Sequence, residues 1–420
     1  MKYQINQLGL FGAAPLFSQP LVVGQPDTLS QSRIMERIEH VIASGFLTND
    51  GPLVKQFEAK VCDITGAAHC VAVCNGTMAL QIMAKACGLS GEVIVPAFTF
   101  IATAHALEWI GIRPVFADID PQTHTLNVDS VRLCISRRTS AILGVHLWGN
   151  PCDIESLQQL ADEHQLQLLF DACHAFGCRR NGRAIGTFGV AEAFSFHATK
   201  FVHSLEGGAI VTPSAVLADR MRLLRNFGIT GLSTVESAGI NGKLNDVCAA
   251  VGLTSLESMT ERMQHNRCLQ AVYRDQLADC PGLRVLPITA DNGGNGQYVV
   301  LLVDSSRFGM HRNELLQVLR ADGVFGRSYF APGCHRSMPY VTSQDHHPVS
   351  LQTTELILDR VLQLPVGPAI TVESARTVCS LLTWVSKNAR AIQERIHAGW
   401  PVSSHTLDPA AIASPLPLAG

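Results

Sequence analysis

Between residues 70 and 215 short apolar runs alternate with stretches that are apolar at helical spacing. His69-Cys70-Val71-Ala72-Val73-Cys74 is too short for a stable helix and predicts a strand, whereas 76–87 predicts a helix. The same reading gives strands at 93–95, 114–117, 141–146 and 166–170, helices at 103–110 and 154–164, and further strands at 192–196 and 209–212. Strand–helix alternation of this kind predicts an α/β domain built on a mostly parallel sheet with helices on both faces. In such sheets ligands sit beyond the carboxyl ends of the strands. The chemistry is therefore expected at Asn75-Gly76-Thr77, at 96–100, at 171–174 and at 195–200, each at or just after a strand end.

Past residue 255 the pattern changes. A long helix is expected over 255–277, a strand over 297–304, a helix over 311–321, and helical or apolar segments over 359–364 and 372–387. These make a smaller C-terminal α/β domain. The expected organisation is an N-terminal segment (1–30), a large domain (31–255), the smaller domain (256–390) and a flexible tail (391–420), rich in Pro, Ala and Ser from Gly399 onward. No internal repeat is visible.

Composition narrows the function classes. The 420 residues are 47% hydrophobic and 16% charged, a globular composition with material for more than one core. Net charge is −3 and no long basic run occurs, so nucleic acid is not an expected partner. The thirteen cysteines are odd in number and include no C-x-x-C, which argues against a disulfide framework or a zinc site and for a reducing cytoplasm. No secretory leader or membrane span is read, so no membrane partner is expected. The pair His346-His347 reads as a solvated loop, and no metal site is expected. Asn241-Gly242-Lys243-Leu244 looks like the end of a nucleotide-binding P-loop but fails, because Ser237 stands where the first glycine belongs and Leu follows the Lys.

The informative block is Ser195-Phe196-His197-Ala198-Thr199-Lys200, followed by Glu206-Gly207-Gly208. A lysine there, an aspartate (Asp171) closing a buried strand, and a helix start at Asn75-Gly76-Thr77 form a chemical set. Pyridoxal phosphate needs a lysine for its Schiff base, an acid to keep its pyridine nitrogen protonated, and a cradle for its phosphate such as a helix N-terminus. Phe98 and Phe100 can cover the ring, or can be ordinary core.

With these residues the chain resembles the DegT/DnrJ/EryC1/StrS sugar aminotransferases, which have the aspartate-aminotransferase-like fold (fold type I of the pyridoxal-phosphate enzymes). The resemblance spans nearly all of 45–390. It includes 46–52, 75–80, 96–100, 171–177, 195–200, 239–245 and Tyr329-Phe330-Ala331-Pro332-Gly333-Cys334-His335. It implies that Lys200 holds pyridoxal 5'-phosphate, that Asp171 pairs with the ring nitrogen, and that His174 lies near the ring hydroxyl. It further implies that Gly76, Thr77 and Ser195 bind the phosphate and that Phe100 stacks on the ring. Asn241 would reach the phosphate of a neighbouring subunit, giving a homodimer with shared active sites. Asn49, Lys243, Tyr329 and His335 are the candidate substrate residues. Many relatives carry Asn-Tyr-Arg where this chain has Asn241-Gly242-Lys243, and Cys173 replaces a commoner Ala. By the same resemblance L-glutamate is the amino donor. The resemblance implies as acceptor the C4 carbonyl of dTDP-4-keto-6-deoxy-D-glucose, which would give dTDP-4-amino-4,6-dideoxy-D-glucose for an O-antigen or a secondary-metabolite sugar. C3 amination of a 3-keto sugar nucleotide, a UDP-linked 4-keto sugar and a pyridoxal-phosphate-binding regulatory protein stay open as alternatives.

Overall fold

Each short apolar run between residues 69 and 212 forms a strand of one sheet. A computed structural model describes residues 4–398 except 27, 28, 233, 343–345 and 347. In chain order the elements are β1 (Leu21–Val22), α1 (Gln31–Ser44), α2 (Pro52–Thr65), β2 (His69–Val73), α3 (Gly76–Ala86), β3 (Glu92–Pro96), α4 (Ala102–Glu108), β4 (Arg113–Ala117), α5 (Val128–Cys134), β5 (Thr139–Val145), α6 (Ile154–Glu163), β6 (Gln167–Asp171), β7 (Ala191–Ser195), β8 (Gly208–Thr212) and α7 (Ala215–Arg225). They continue with α8 (Asp246–Glu257), α9 (Met259–Leu277), β9 (Leu283–Val285), β10 (Val299–Val303), α10 (Arg312–Ala321), β11 (Val324–Phe325), α11 (Gln352–Arg360), β12 (Val361–Leu364) and α12 (Val372–His397).

The main sheet has the order β2-β8-β7-β6-β5-β3-β4. Only β8 runs antiparallel to its neighbours; the other pairings are parallel. Because β8 is flanked by two strands of like direction, β2, β6 and β7 all end on the same edge of the sheet. Buried side chains cover both faces, with Phe57, Phe170 and Phe194 in one cluster and Val71, Leu80 and Ile210 in the other. Strands buried on both sides read as continuous apolar runs, which explains why this part of the chain is legible.

A second sheet, β9-β10-β12, is antiparallel and packs with α9, α10 and α12 around Tyr273, Leu301, Leu319 and Leu382. A fourth cluster joins the two units: Phe98 and Trp148 on one side meet Val300, Phe330 and Val361 on the other.

Several boundaries differ from expectation. The helix expected over 255–277 is two helices that meet at Ser258 (φ −101°, ψ 8°), so the first of them crosses the boundary placed at 255. Residues 359–364, expected as a helical or apolar segment, are the end of α11 followed by the buried strand β12. The final helix continues to His397, seven residues into the stretch expected to be a tail; residues 399–420 lie outside the described residues. The N-terminal segment is not a separate piece. Leu8, Leu10 and Leu21 sit in the second core, and β1 pairs in parallel with β11. His346 is half-buried against Phe116 and Tyr340, with its ring nitrogen 2.8 Å from the Pro114 carbonyl, so it does not belong to a solvated loop; His347 lies outside the described residues.

Candidate active site

The carboxyl ends of β2, β6 and β7 and the edge of the second sheet enclose a cavity of about 420 Å³. Gly76, Thr77, Phe100, Asp171, His174, Ser195, Lys200 and Tyr329 all line it. Eight of the twelve residues singled out from the sequence, though scattered over more than 250 positions, thus share one wall or another of a single pocket.

The phosphate cradle follows from local sequence. Asn75 caps α3 by accepting a hydrogen bond from the Met78 amide at 2.8 Å, which leaves the Gly76 and Thr77 N–H groups without intrahelical partners. The helix start lies so close to β7 that a Cβ at residue 76 would stand 2.8 Å from Ser195 Cβ and 3.3 Å from Cys173 Sγ. Glycine is what lets two backbone donors and the Ser195 hydroxyl converge.

Asp171 is 6% exposed. Its Oδ2 accepts from the Thr103 hydroxyl at 2.8 Å and its Oδ1 from the Cys173 amide at 3.1 Å. Among the described residues it has no ion-pair partner. A buried carboxylate held by two neutral donors is arranged to receive a cation.

Lys200 Nζ donates to the Tyr298 hydroxyl at 3.3 Å. Burial pushes the lysine below its ordinary range, and the nearby Cys173 and Asp171 oppose that shift. His174 is held well below the usual imidazole range by burial and by Lys200, so it is neutral. Its Nδ1 accepts from the Trp148 amide at 3.4 Å, which places the ring proton on Nε2. Trp148 itself, with φ 61°, stacks on Phe330 at 5.1 Å and on His174 at 5.8 Å. Of the two candidate ring covers, Phe98 is fully buried core and Phe100 opens onto the cavity.

These residues fit pyridoxal phosphate: a desolvated amine, a carboxylate without a cation, and a helix start lacking Cβ bulk. Among the described residues no group of three or more His, Cys, Asp or Glu side chains could hold a metal ion. Nor does any described helix have the length and apolarity to cross a membrane.

Four sequence candidates lie away from the cavity of their own chain. Asn49 and Asn241 are exposed. Lys243 donates to Asn226 Oδ1 at 3.0 Å and lies over the Phe227 ring. His335 is buried, with Nε2 2.7 Å from Glu355, and ties its loop to α11. Conversely, sequence reasoning missed Tyr298 and Arg327, and the segment Val23-Gly24-Gln25, all of which line the cavity. The only local signal for Tyr298 is a polar pair, Gln297-Tyr298, leading into the apolar run of β10.

Comparison with known proteins agrees with this geometry. The chain is 32% identical over 365 residues to a dTDP-4-amino-4,6-dideoxy-D-glucose transaminase of Escherichia coli, covering 86% of this chain and 97% of that protein. It is 29% identical to a GDP-perosamine synthase of Vibrio cholerae, over 81% and 93% of the two chains. The crystal structure of DesI with its TDP-sugar product superposes with a TM-score of 0.89 at 46% identity, covering 94% of this chain and all of that one. Residues 29–383 match the DegT/DnrJ/EryC1/StrS aminotransferase family, and the protein therefore belongs to that family of pyridoxal-phosphate-dependent sugar aminotransferases.

Proposed function

We propose that the enzyme moves an amino group from L-glutamate to C4 of dTDP-4-keto-6-deoxy-D-glucose, with Lys200 carrying the cofactor as a Schiff base. The observation that carries the chemistry is the buried Lys200 amine sharing a cavity with the cation-free Asp171 carboxylate. The choice of sugar rests on the relative whose name specifies that product and on DesI, solved with a TDP-sugar.

Bound pyridoxal phosphate supplies the electron sink that stabilises the charge left when the donor loses its Cα proton. The protein's own residues do the rest. Lys200, whose hold on a proton burial weakens, takes that proton and returns it to the acceptor side. Asp171 holds the ring nitrogen's proton, and neutral His174 offers a hydrogen bond at the ring hydroxyl. Gly76, Thr77 and Ser195 hold the phosphate, and Phe100 bounds the ring.

The functional unit is a homodimer with shared sites. Asp50 pairs with Arg225 at 3.0 Å and the Asp246 amide donates to the Leu47 carbonyl at 2.9 Å, so the loops bearing Asn49, Asn241 and Lys243 form one connected surface. The same surface exposes Phe46, Leu47, Phe227 and Ile240, apolar side chains that a second copy would cover. In that arrangement Asn241 serves the cofactor phosphate of the neighbouring subunit.

A panel of dTDP- and UDP-linked 3-keto and 4-keto sugars with glutamate tests the substrate; product NMR should place nitrogen on C4 of the dTDP sugar. Nitrogen on C3, or faster turnover of a UDP sugar, overturns that choice. Lys200→Ala should lose the visible absorption of the lysine-bound cofactor together with turnover, and a variant that keeps both would remove Lys200 from its role.

A further inference from the structure

We propose that Arg327 is the seat for the carboxylate of the amino donor. The inference rests on Lys200 being the amine that carries the cofactor, and it adds the side chain that selects an amino acid as donor.

The cavity's cations are not equivalent. Lys200 is the reacting amine and His174 is neutral. Arg262 is engaged with the Phe201 carbonyl at 3.1 Å and the Ser255 hydroxyl at 3.2 Å. Arg327 is half-buried on the cavity wall, and its partners are neutral: its guanidinium donates to the Tyr329 hydroxyl and lies 5.4 Å from that ring's centre. Among the described residues no carboxylate lies within ion-pair distance of it.

Its position suits an anion that must sit beside the reacting amine. The Tyr298 hydroxyl lies 3.3 Å from Lys200 Nζ, and Lys200, Tyr298 and Arg327 line the same cavity. Arg327 and Gln363 exchange backbone hydrogen bonds at 3.2 and 2.7 Å, a cross-strand pair whose side chains share a face. Gln363 is 1% exposed, and neither of its amide atoms has a hydrogen-bond partner. On β12 it faces the same way as its cross-strand neighbour Val300, which packs with Trp148 and with Phe330, a residue of the cavity wall. A guanidinium without a counter-ion beside an amide whose nitrogen and oxygen are both unpartnered is a polar corner with unmet hydrogen bonds. Asp171 and Glu206 also line the cavity, and their negative charge directs an incoming carboxylate toward Arg327. The planar fork of an arginine matches a carboxylate with two parallel hydrogen bonds.

The test uses cofactor-loaded enzyme and separates the two half-reactions. Maleate, an unreactive dicarboxylate, is titrated by calorimetry. Glutamate is mixed in single turnover, and the keto sugar is then mixed with enzyme already carrying the amino group. Arg327→Gln should weaken maleate and glutamate about 100-fold, the scale for one charge-assisted bidentate pair, and leave the keto-sugar half-reaction within threefold. Arg327→Lys, which keeps the charge and loses the fork, should weaken both acids about tenfold and so gives a result even if the glutamine variant does not fold. Unchanged maleate and glutamate affinities overturn the inference. A loss confined to the keto-sugar half-reaction also overturns it, because it assigns the guanidinium to the sugar's diphosphate. Failure of the Lys200 reading has a different signature: the visible lysine-bound cofactor band would survive Lys200→Ala.

Discussion

Gly76→Ala tests the cradle most directly. The added Cβ would stand 2.8 Å from Ser195 Cβ, 3.2 Å from its Oγ and 3.3 Å from Cys173 Sγ. Carbon atoms in contact belong at about 3.5–4.0 Å, so α3 and the end of β7 must separate by about 1 Å. Ser195 Cβ is fixed to a strand and cannot swing aside. Overpacking of this kind costs about 1–3 kcal/mol, which lowers the melting temperature by a few degrees. The larger effect falls on the cofactor. Separation pulls the Gly76 and Thr77 amides away from the Ser195 hydroxyl, and losing one charge-assisted hydrogen bond costs about 1.5–3 kcal/mol, or about 10- to 150-fold in affinity. Titrating the cofactor-free protein with pyridoxal phosphate, by the visible band and by calorimetry, measures this, and a thermal melt reports the packing cost. A Gly76→Ala protein that melts with the wild type and binds cofactor within twofold would falsify the close-approach argument.

Three further outcomes follow from the site. Asp171→Asn keeps the shape and the Thr103 contact but removes the charge; single-turnover reaction with glutamate should slow by at least ~100-fold, the scale of one preorganised catalytic charge, and a change under fivefold would count against the role. Tyr298→Phe keeps the ring between His174 and Trp148 while removing the oxygen that orients Lys200; the proton-transfer step should slow about tenfold with the melt unchanged, and an unaltered isotope effect with Cα-deuterated glutamate would refute it. Burial depresses Lys200, so the neutral, nucleophilic amine persists to lower pH than on a surface lysine. The rate at which cofactor-free enzyme captures pyridoxal phosphate should therefore rise through a midpoint below 10.4, the ordinary lysine value. Because Asp171 opposes the shift, Asp171→Asn should move that midpoint lower still; a move upward contradicts the electrostatics.

The legible parts of this chain are those where one physical rule dominates. Strands β2 to β8 are buried on both faces and appear as apolar runs within a residue or two of their observed ends. Asp171, Ser195 and Gly76 could be placed because the carboxyl edge of a parallel sheet is where such residues meet. The helices α1 and α2 precede the alternating region and are not among the elements its pattern predicts. In α1 only Val41 is buried, so its apolar stripe answers to something other than this chain's own core. The break at Ser258 is invisible because apolar spacing continues through it. Tyr298 and Arg327 went unread because they matter through a pairing of strands that brings together 298, 327 and 363, and no local spacing encodes that. Asn49, Asn241 and Lys243 rest on resemblance, and the single chain leaves them outside its cavity.

The parallel pairing of Leu21 and Val22 with Val324 and Phe325 has a mechanical consequence. Leu8, Leu10 and Leu21 are anchored in the core of the second sheet, and from that anchor Val23-Gly24-Gln25 run along the cavity wall. A displacement of β11 is therefore passed through the paired strand to one side of the cavity, and shortening the chain from the front would remove part of that wall together with its anchor.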